Sequence, residues 1–124
     1  MITLTHTIHI YVRPDAKEQF LEFFTNILGL NAIVSPHAVG SPEPIYALPF
    51  ANGASLSVEF TTEALSDQQA LRGAWLYLRT DDAAGLQEKA LAFGLKRVVH
   101  PYTSSFYIQA PGGQVFRIDQ SEEA

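Results

Sequence analysis

Residues 106–118, FYIQAPGGQVFRI, predict two strands joined by a tight turn. Proline and paired glycine reverse a chain, so the Pro-Gly-Gly of residues 111–113 separates a first strand at 106–109 from a second at 114–118. This hairpin is the unit from which the fold of the whole chain is inferred.

The second strand of this hairpin has two different faces. Successive side chains of a strand point to opposite sides of a sheet, so Phe116 and Ile118 face one way and Val115 and Arg117 the other. The aromatic and aliphatic pair predicts a face packed into the core. The face with Arg117 is predicted to line a cavity.

The start of the chain predicts a strand followed by an amphipathic helix. Apolar and polar residues alternate over residues 3–12, as in a half-buried strand. Asp15 and Glu18 have the spacing of a capping box at a helix start. Gly29 is placed to end the helix. The apolar residues at helical spacing are Phe20, Phe23, Phe24, Ile27 and Leu28.

The chain repeats itself. IYVRPD at residues 10–15 matches LYLRTD at 76–81, and LGL at 28–30 matches FGL at 93–95. The hairpin turn Asn52-Gly53 corresponds to residues 111–113. Each half is therefore predicted to be β-α-β-β-β in one α+β domain, 1–124. It divides into unit one (1–60), a linker (61–72), unit two (73–119) and a tail (120–124).

Composition excludes several classes of function. Eight Lys and Arg residues are scattered through 124 residues of net charge −5, so a nucleic-acid partner is not expected. The absence of cysteine removes disulfides, thiolate nucleophiles and thiolate metal sites. No apolar run approaches the roughly 20 residues of a membrane helix, and no signal peptide is recognised. A cytoplasmic protein without a membrane partner is expected.

The chain resembles the vicinal oxygen chelate superfamily in three features. These are the duplicated unit, the segment FFTNILG at residues 23–29 and the segment QAPGG at residues 109–113. That group includes glyoxalase, bleomycin-resistance proteins and extradiol dioxygenases. The resemblance implies that the two units form one curved mixed sheet with helices outside and a concave pocket. It also implies a homodimer.

Enzymes of this superfamily hold a divalent metal with four side chains, from the first and last strands of each unit. The resemblance carries these positions onto Thr7 or His9, Glu59, Gly73 or Trp75, and Arg117. Of these, only His9 and Glu59 are metal donors, and a cation at Arg117 repels a metal ion. We therefore predict that the metal site is lost.

Alternation also predicts which side chains line the pocket. The sharper interpretation is that Trp75, Tyr77 and Tyr11 are walls that stack a flat ligand. The plainer one is that these aromatic residues form a second core layer or a dimer contact. The predicted ligand-binding residues are His9, Tyr11, Glu59, Trp75, Tyr77, Tyr107 and Arg117.

Individual polar residues of this set have alternative roles. His9 is either a hydrogen-bonded strand residue or a general base oriented by Glu59. Because Glu59 and Arg117 occupy equivalent places in the two units, we hypothesise an ion pair between them. His37 and His100, which lie beside prolines, are predicted to be surface residues.

The sequence offers aromatic walls and polar anchors but no activated nucleophile, which favours binding without turnover. The leading hypothesis is a small-molecule binding protein without metal or cofactor, similar to the bleomycin-resistance branch. One alternative is a glyoxalase-like lyase or isomerase, or a dioxygenase, with an atypical divalent metal site on His9 and Glu59. A second alternative is metal-free proton transfer by His9. A third is a dimeric α+β barrel of the monooxygenase kind, but the two-unit repeat argues against that fold.

Overall fold

The computed structural model of the chain, which describes residues 1–35 and 44–122, divides into the units Met1–Ala64 and Leu65–Ala124. The first unit contains β1 (Thr7–Val12), α1 (Lys17–Glu22), β2 (Ile33–Val34), β3 (Ile45–Pro49) and β4 (Ser55–Phe60). The second contains α2 (Asp67–Ala70), β5 (Leu76–Thr80), α3 (Ala83–Ala92), β6 (Lys96–Val98), β7 (Tyr107–Gln109) and β8 (Val115–Gln120). His37 and the last two residues of the predicted tail lie outside the described residues.

Both units have the same sheet topology. The first sheet has the order β1-β4-β3-β2 and the second the order β5-β8-β7-β6. In each, the first and last strands of the unit are parallel neighbours and the other pairs are antiparallel. The predicted α+β class and the β-α-β-β-β repeat are confirmed. The single curved sheet, the concave pocket and the one-domain organisation stay predictions.

In the core of the first unit, aromatic residues of α1 and of the helical turn that follows it pack against the sheet. Phe20, Phe23 and Phe24 are fully buried. The Phe20 ring lies 4.5 Å from that of Phe24 and 5.7 Å from that of Phe60 on β4, measured between centroids. The helical spacing of these residues therefore fixes which face of α1 packs on the sheet.

The predicted start of α1 is wrong in its details. β1 begins at Thr7 rather than residue 3, and a 3₁₀ turn, Pro14–Ala16, precedes the helix. No side-chain capping bond is present at the start of the 3₁₀ turn or at the start of α1. The reason is that Asp15 lies inside the 3₁₀ turn and is not the residue that precedes either helical segment; its Oδ1 accepts a hydrogen bond from Arg13 Nε at 3.2 Å.

Glycine ends both long helical segments, as predicted. A π-helical turn, Phe23–Ile27, follows α1, and Gly29 then has φ 76°. Gly94 has φ 104° just after α3. Side chains with a Cβ avoid these backbone conformations, which is why glycine stands at both positions.

The second long helix, α3, is capped by an acidic residue. Asp82 Oδ1 accepts a hydrogen bond from Gly85 N at 3.0 Å. We expect Asp82→Ala to lower the free energy of unfolding by about 1 kcal/mol, because it leaves an N–H of the first turn without a partner. Urea denaturation measures this effect. Asp81→Ala, one residue earlier and exposed, is the control and should change stability by less than about 0.5 kcal/mol. Equal losses in the two variants would contradict the capping role.

Candidate functional site

Strand register brings four predicted site residues onto one face of the second sheet. Arg117 on β8 is paired at the Cα with Tyr77 on β5 and with Tyr107 on β7. Residues paired in this way lie on the same side of a sheet, so the three side chains form a row across three strands. Trp75, just before β5, contacts this row through Tyr107.

Trp75, Tyr107 and His100 form a cluster of touching rings. The Trp75 centroid lies 4.9 Å from Tyr107 and 5.6 Å from His100, and the latter two are 6.4 Å apart. A flat ligand sandwiched between two rings needs roughly twice the ~3.5 Å contact distance of carbon atoms. A ligand would therefore lie on the outside of this cluster rather than between Trp75 and Tyr107.

His100 is a site residue that sequence reasoning missed. We predicted a surface histidine, and its side chain is partly exposed, but its ring also packs against Trp75 and its Nδ1 accepts a hydrogen bond from Tyr102 N at 3.1 Å. It lies in the turn after β6, where strand alternation gives no information. The Tyr102 ring extends the cluster, with its centroid 5.7 Å from that of His100.

Arg117 is held from three sides. Its Nε donates to Asp119 Oδ1 at 2.7 Å, and its Cζ lies 4.7 Å from the centroid of the Tyr77 ring. The hydrogen bond with Asp119 raises the pKa of Arg117 above its ordinary value, partial burial opposes this, and a hydrogen bond with Tyr107 adds to the increase. The guanidinium is therefore fixed in position and permanently charged.

The first unit places the other predicted residues on one face of its own sheet. His9 and Tyr11 are two residues apart on β1 and so lie on the same face, with their ring centroids 4.9 Å apart. Their Cα partners on β4 are Ser57 and Glu59. His9 Nδ1 lies 2.9 Å from Ser57 Oγ. Ser57 thus takes the orienting place proposed for Glu59, and a hydroxyl gives an imidazolium less electrostatic support than a carboxylate would.

The hypothesised ion pair between Glu59 and Arg117 joins residues of different units. The acidic partner that the structure shows for Arg117 is Asp119, two residues away on the same strand. Glu59 is half-buried and stands opposite Tyr11 and Ile45 in its own sheet. The pairing of Glu59 with Arg117 therefore stays a prediction.

Side chains of the second unit also bind the chain just before β5. Trp75 Nε1 donates to Leu71 O at 3.1 Å, Gln109 Nε2 to Asp67 O at 2.8 Å, and Gln114 Nε2 to Ala74 O at 2.7 Å. Part of the stretch predicted as a linker therefore contains α2 and is attached to the second sheet. It also fixes the indole ring of Trp75.

The donors present do not fit the four-ligand metal site of the resemblance. Trp75 offers an indole N–H and Arg117 a guanidinium, and neither has a lone pair for a metal ion. Within residues 1–35 and 44–122, no group of three or more His, Asp or Glu side chains is arranged to hold an ion. His9 and Glu59 remain as two donors, fewer than such a site needs.

Comparison with solved structures shows the fold. TnmS3, an antibiotic binding protein from Streptomyces sp., matches with a TM-score of 0.65 and 18% identity, over 98% of both chains. FosX, a fosfomycin resistance protein from Listeria monocytogenes, gives 0.69 and 13%, over 95% of this chain and 91% of that one. A candidate glyoxalase family protein from Bacillus anthracis gives 0.71 and 10%, over 98% of both.

These likenesses, at 10 to 18% identity, show the fold of the chain. The chain has the fold of the vicinal oxygen chelate superfamily, and the predicted resemblance is confirmed at that level. No protein-family model and no curated protein sequence matches the chain. Among the described residues, no helix has both the length and the apolar character needed to cross a bilayer.

Proposed function

We propose that this protein binds a small, flat, aromatic molecule without turnover, on the face of the second sheet that carries Trp75 and Arg117. The observation that carries the proposal is the ring cluster of Trp75, His100 and Tyr107 beside a fixed guanidinium. Such a face combines apolar area with a polar anchor, as small-molecule sites do. The antibiotic-binding and resistance proteins of the same fold support a binding role.

The enzyme alternatives have less support. A metal-dependent lyase or dioxygenase needs donors that Trp75 and Arg117 do not supply. For proton transfer by His9, the partner shown among the described residues is the hydroxyl of Ser57 at Nδ1, rather than the carboxylate of Glu59 that the hypothesis required. The homodimer and the cytoplasmic location stay predictions.

The single tryptophan of the chain makes the proposal directly testable. Protein labelled with 5-fluorotryptophan has one ¹⁹F resonance, from Trp75. We expect that resonance to shift saturably on titration with planar aromatic compounds such as 2-naphthoate, because stacking changes the ring's surroundings. No shift with any planar compound up to about 1 mM, a concentration that detects weak binding, would overturn the proposal.

A variant separates binding from packing. We expect Trp75→Ala to weaken 2-naphthoate binding at least about 5-fold in calorimetry, since one aromatic contact contributes roughly 1 kcal/mol beyond its buried area. Val99→Ala, an exposed apolar residue next to His100, is the matched control and should leave affinity unchanged. If Trp75→Ala reduced stability but not affinity, the cluster would be the second core layer of the plainer interpretation.

A further inference from the structure

We propose that the ligand is an aromatic carboxylate whose anionic group is bound by Arg117. This inference rests on the proposed function above, because it names the chemical class of the molecule held on the same face. It is carried by the position, partners and remaining hydrogen-bonding capacity of one guanidinium.

The guanidinium of Arg117 is preorganised. Asp119 holds its Nε at 2.7 Å, and the ring of Tyr77 supports it at 4.7 Å. A side chain that is already fixed loses little conformational entropy when it binds a ligand. The arginine side chain is therefore already ordered before a ligand binds.

Asp119 and Tyr107 do not use all the hydrogen-bond donors of the Arg117 guanidinium. A guanidinium has more N–H groups than Asp119 and Tyr107 together accept. Asp119 bonds to Nε, and the single hydroxyl of Tyr107 cannot accept from all four N–H groups of the two Nη atoms, so donors remain at the outer end of the guanidinium. That end has the planar, forked geometry that binds a carboxylate through two parallel hydrogen bonds.

The surroundings favour an anion over a cation. Aromatic faces attract cations, but the Tyr77 face is already covered by the chain's own guanidinium. A second cation placed there would be repelled by Arg117. A carboxylate gains charge-assisted hydrogen bonds that a neutral amide does not.

The geometry also relates the anion to the aromatic body of the ligand. Tyr107 stands opposite Arg117 on the neighbouring strand, at the ~4.8 Å spacing of a sheet. The Trp75 ring contacts the Tyr107 ring, with 4.9 Å between the centroids. The ring cluster therefore begins on the strand next to Arg117, so a molecule of two fused rings can contact the cluster while its carboxylate is at Arg117.

The test uses three ligands of one shape and different charge, measured by calorimetry on the full chain. They are 2-naphthoate, its neutral analogue 2-naphthamide, and the cationic 2-naphthylmethylammonium. We expect 2-naphthoate to bind about 10- to 100-fold more tightly than 2-naphthamide, as for hydrogen bonds to a charged group, and the ammonium to bind most weakly.

Variants locate the charge recognition. The double variant Arg117→Gln, Asp119→Asn removes both charges of the ion pair, so no carboxylate is left without its partner. Folding should therefore be preserved, and circular dichroism checks this. We expect this variant to bind 2-naphthoate only as weakly as 2-naphthamide. Arg97→Gln removes a cation from the opposite face of the same sheet, where Arg97 pairs with Ile108, and should retain the full preference.

The possible outcomes are distinguishable. Equal affinity of the wild-type protein for 2-naphthoate and 2-naphthamide would overturn the inference but leave the proposed function standing. A preference that survived in the Arg117→Gln, Asp119→Asn variant would overturn it too, because the anion would then be held elsewhere. Failure of all three ligands to bind would overturn both proposals.

Discussion

Replacing Phe20 by alanine is expected to lower the free energy of unfolding by about 3 to 5 kcal/mol, the usual cost of removing a buried aromatic ring. Phe20 is completely buried and contacts both Phe24 on its own helical segment and Phe60 on β4. Its removal leaves a cavity between helix and sheet that neighbours fixed in two elements fill only partly. Because a domain is stabilised by roughly 5 to 15 kcal/mol, this loss is a large share of the total free energy of unfolding.

Urea denaturation followed by circular dichroism measures this loss. Gln19→Ala, the exposed neighbour on the same helix, is the matched control and should change stability by less than about 0.5 kcal/mol. A loss below about 1 kcal/mol for Phe20→Ala would mean that the interface of α1 with its sheet relaxes freely, contrary to the packing described above.

Gly113→Ala is expected to cost about 2 to 4 kcal/mol, from two separate causes. Gly113 has φ 109°, a conformation that side chains rarely adopt. A Cβ at this position would also lie 2.9 Å from the Cβ of Ala70 on α2 and 3.3 Å from Asp67 Oδ1. The substitution should therefore both strain the β7–β8 turn and push α2 away from the sheet.

Two further variants separate these causes. Gly29→Ala has a similar backbone conformation, φ 76°, with nothing within 4 Å of its added Cβ, so it reports the cost of backbone strain alone, about 1 to 2 kcal/mol. Combining Gly113→Ala with Ala70→Gly removes the closest contact and should recover part of the lost stability. If Gly113→Ala cost no more than Gly29→Ala, the tight approach of α2 would not matter for folding.

The features that follow from neighbouring residues were predictable from sequence. Strand alternation placed Arg117 and Tyr77 on one face, and the Cα register agrees. Glycines were expected to end both helices and to form the hairpin turns, because few residues adopt positive φ. The duplicated order of elements followed from the repeat, since similar segments fold alike.

The failures come from local backbone geometry and from contacts remote in sequence. The Asp15 cap is absent because Asp15 lies within the 3₁₀ turn Pro14–Ala16, where its carboxylate pairs with Arg13. His100 was missed because the path of the chain after β6 decides its contact with Trp75, and no periodicity encodes that path.

The helix α2 did have a signal in the sequence. Ser66 and Gln69 form a reciprocal capping box, with Gln69 N donating to Ser66 Oγ at 3.2 Å and Ser66 N to Gln69 Oε1 at 2.9 Å. The spacing of these two residues is the usual signature of a helix start. It was overlooked because the surrounding residues lack an apolar period.

The attachment of α2 has a consequence for which substitutions the chain tolerates. The three side chains that hold this segment, Trp75, Gln109 and Gln114, all donate to main-chain carbonyls, which every amino acid provides. These three hydrogen bonds therefore place no demand on which side chains stand at residues 67, 71 and 74, whose carbonyls accept them. Restrictions on side-chain identity fall instead on Gln69, which completes the cap of α2, and on Ala70, where a larger side chain would meet the turn at Gly113.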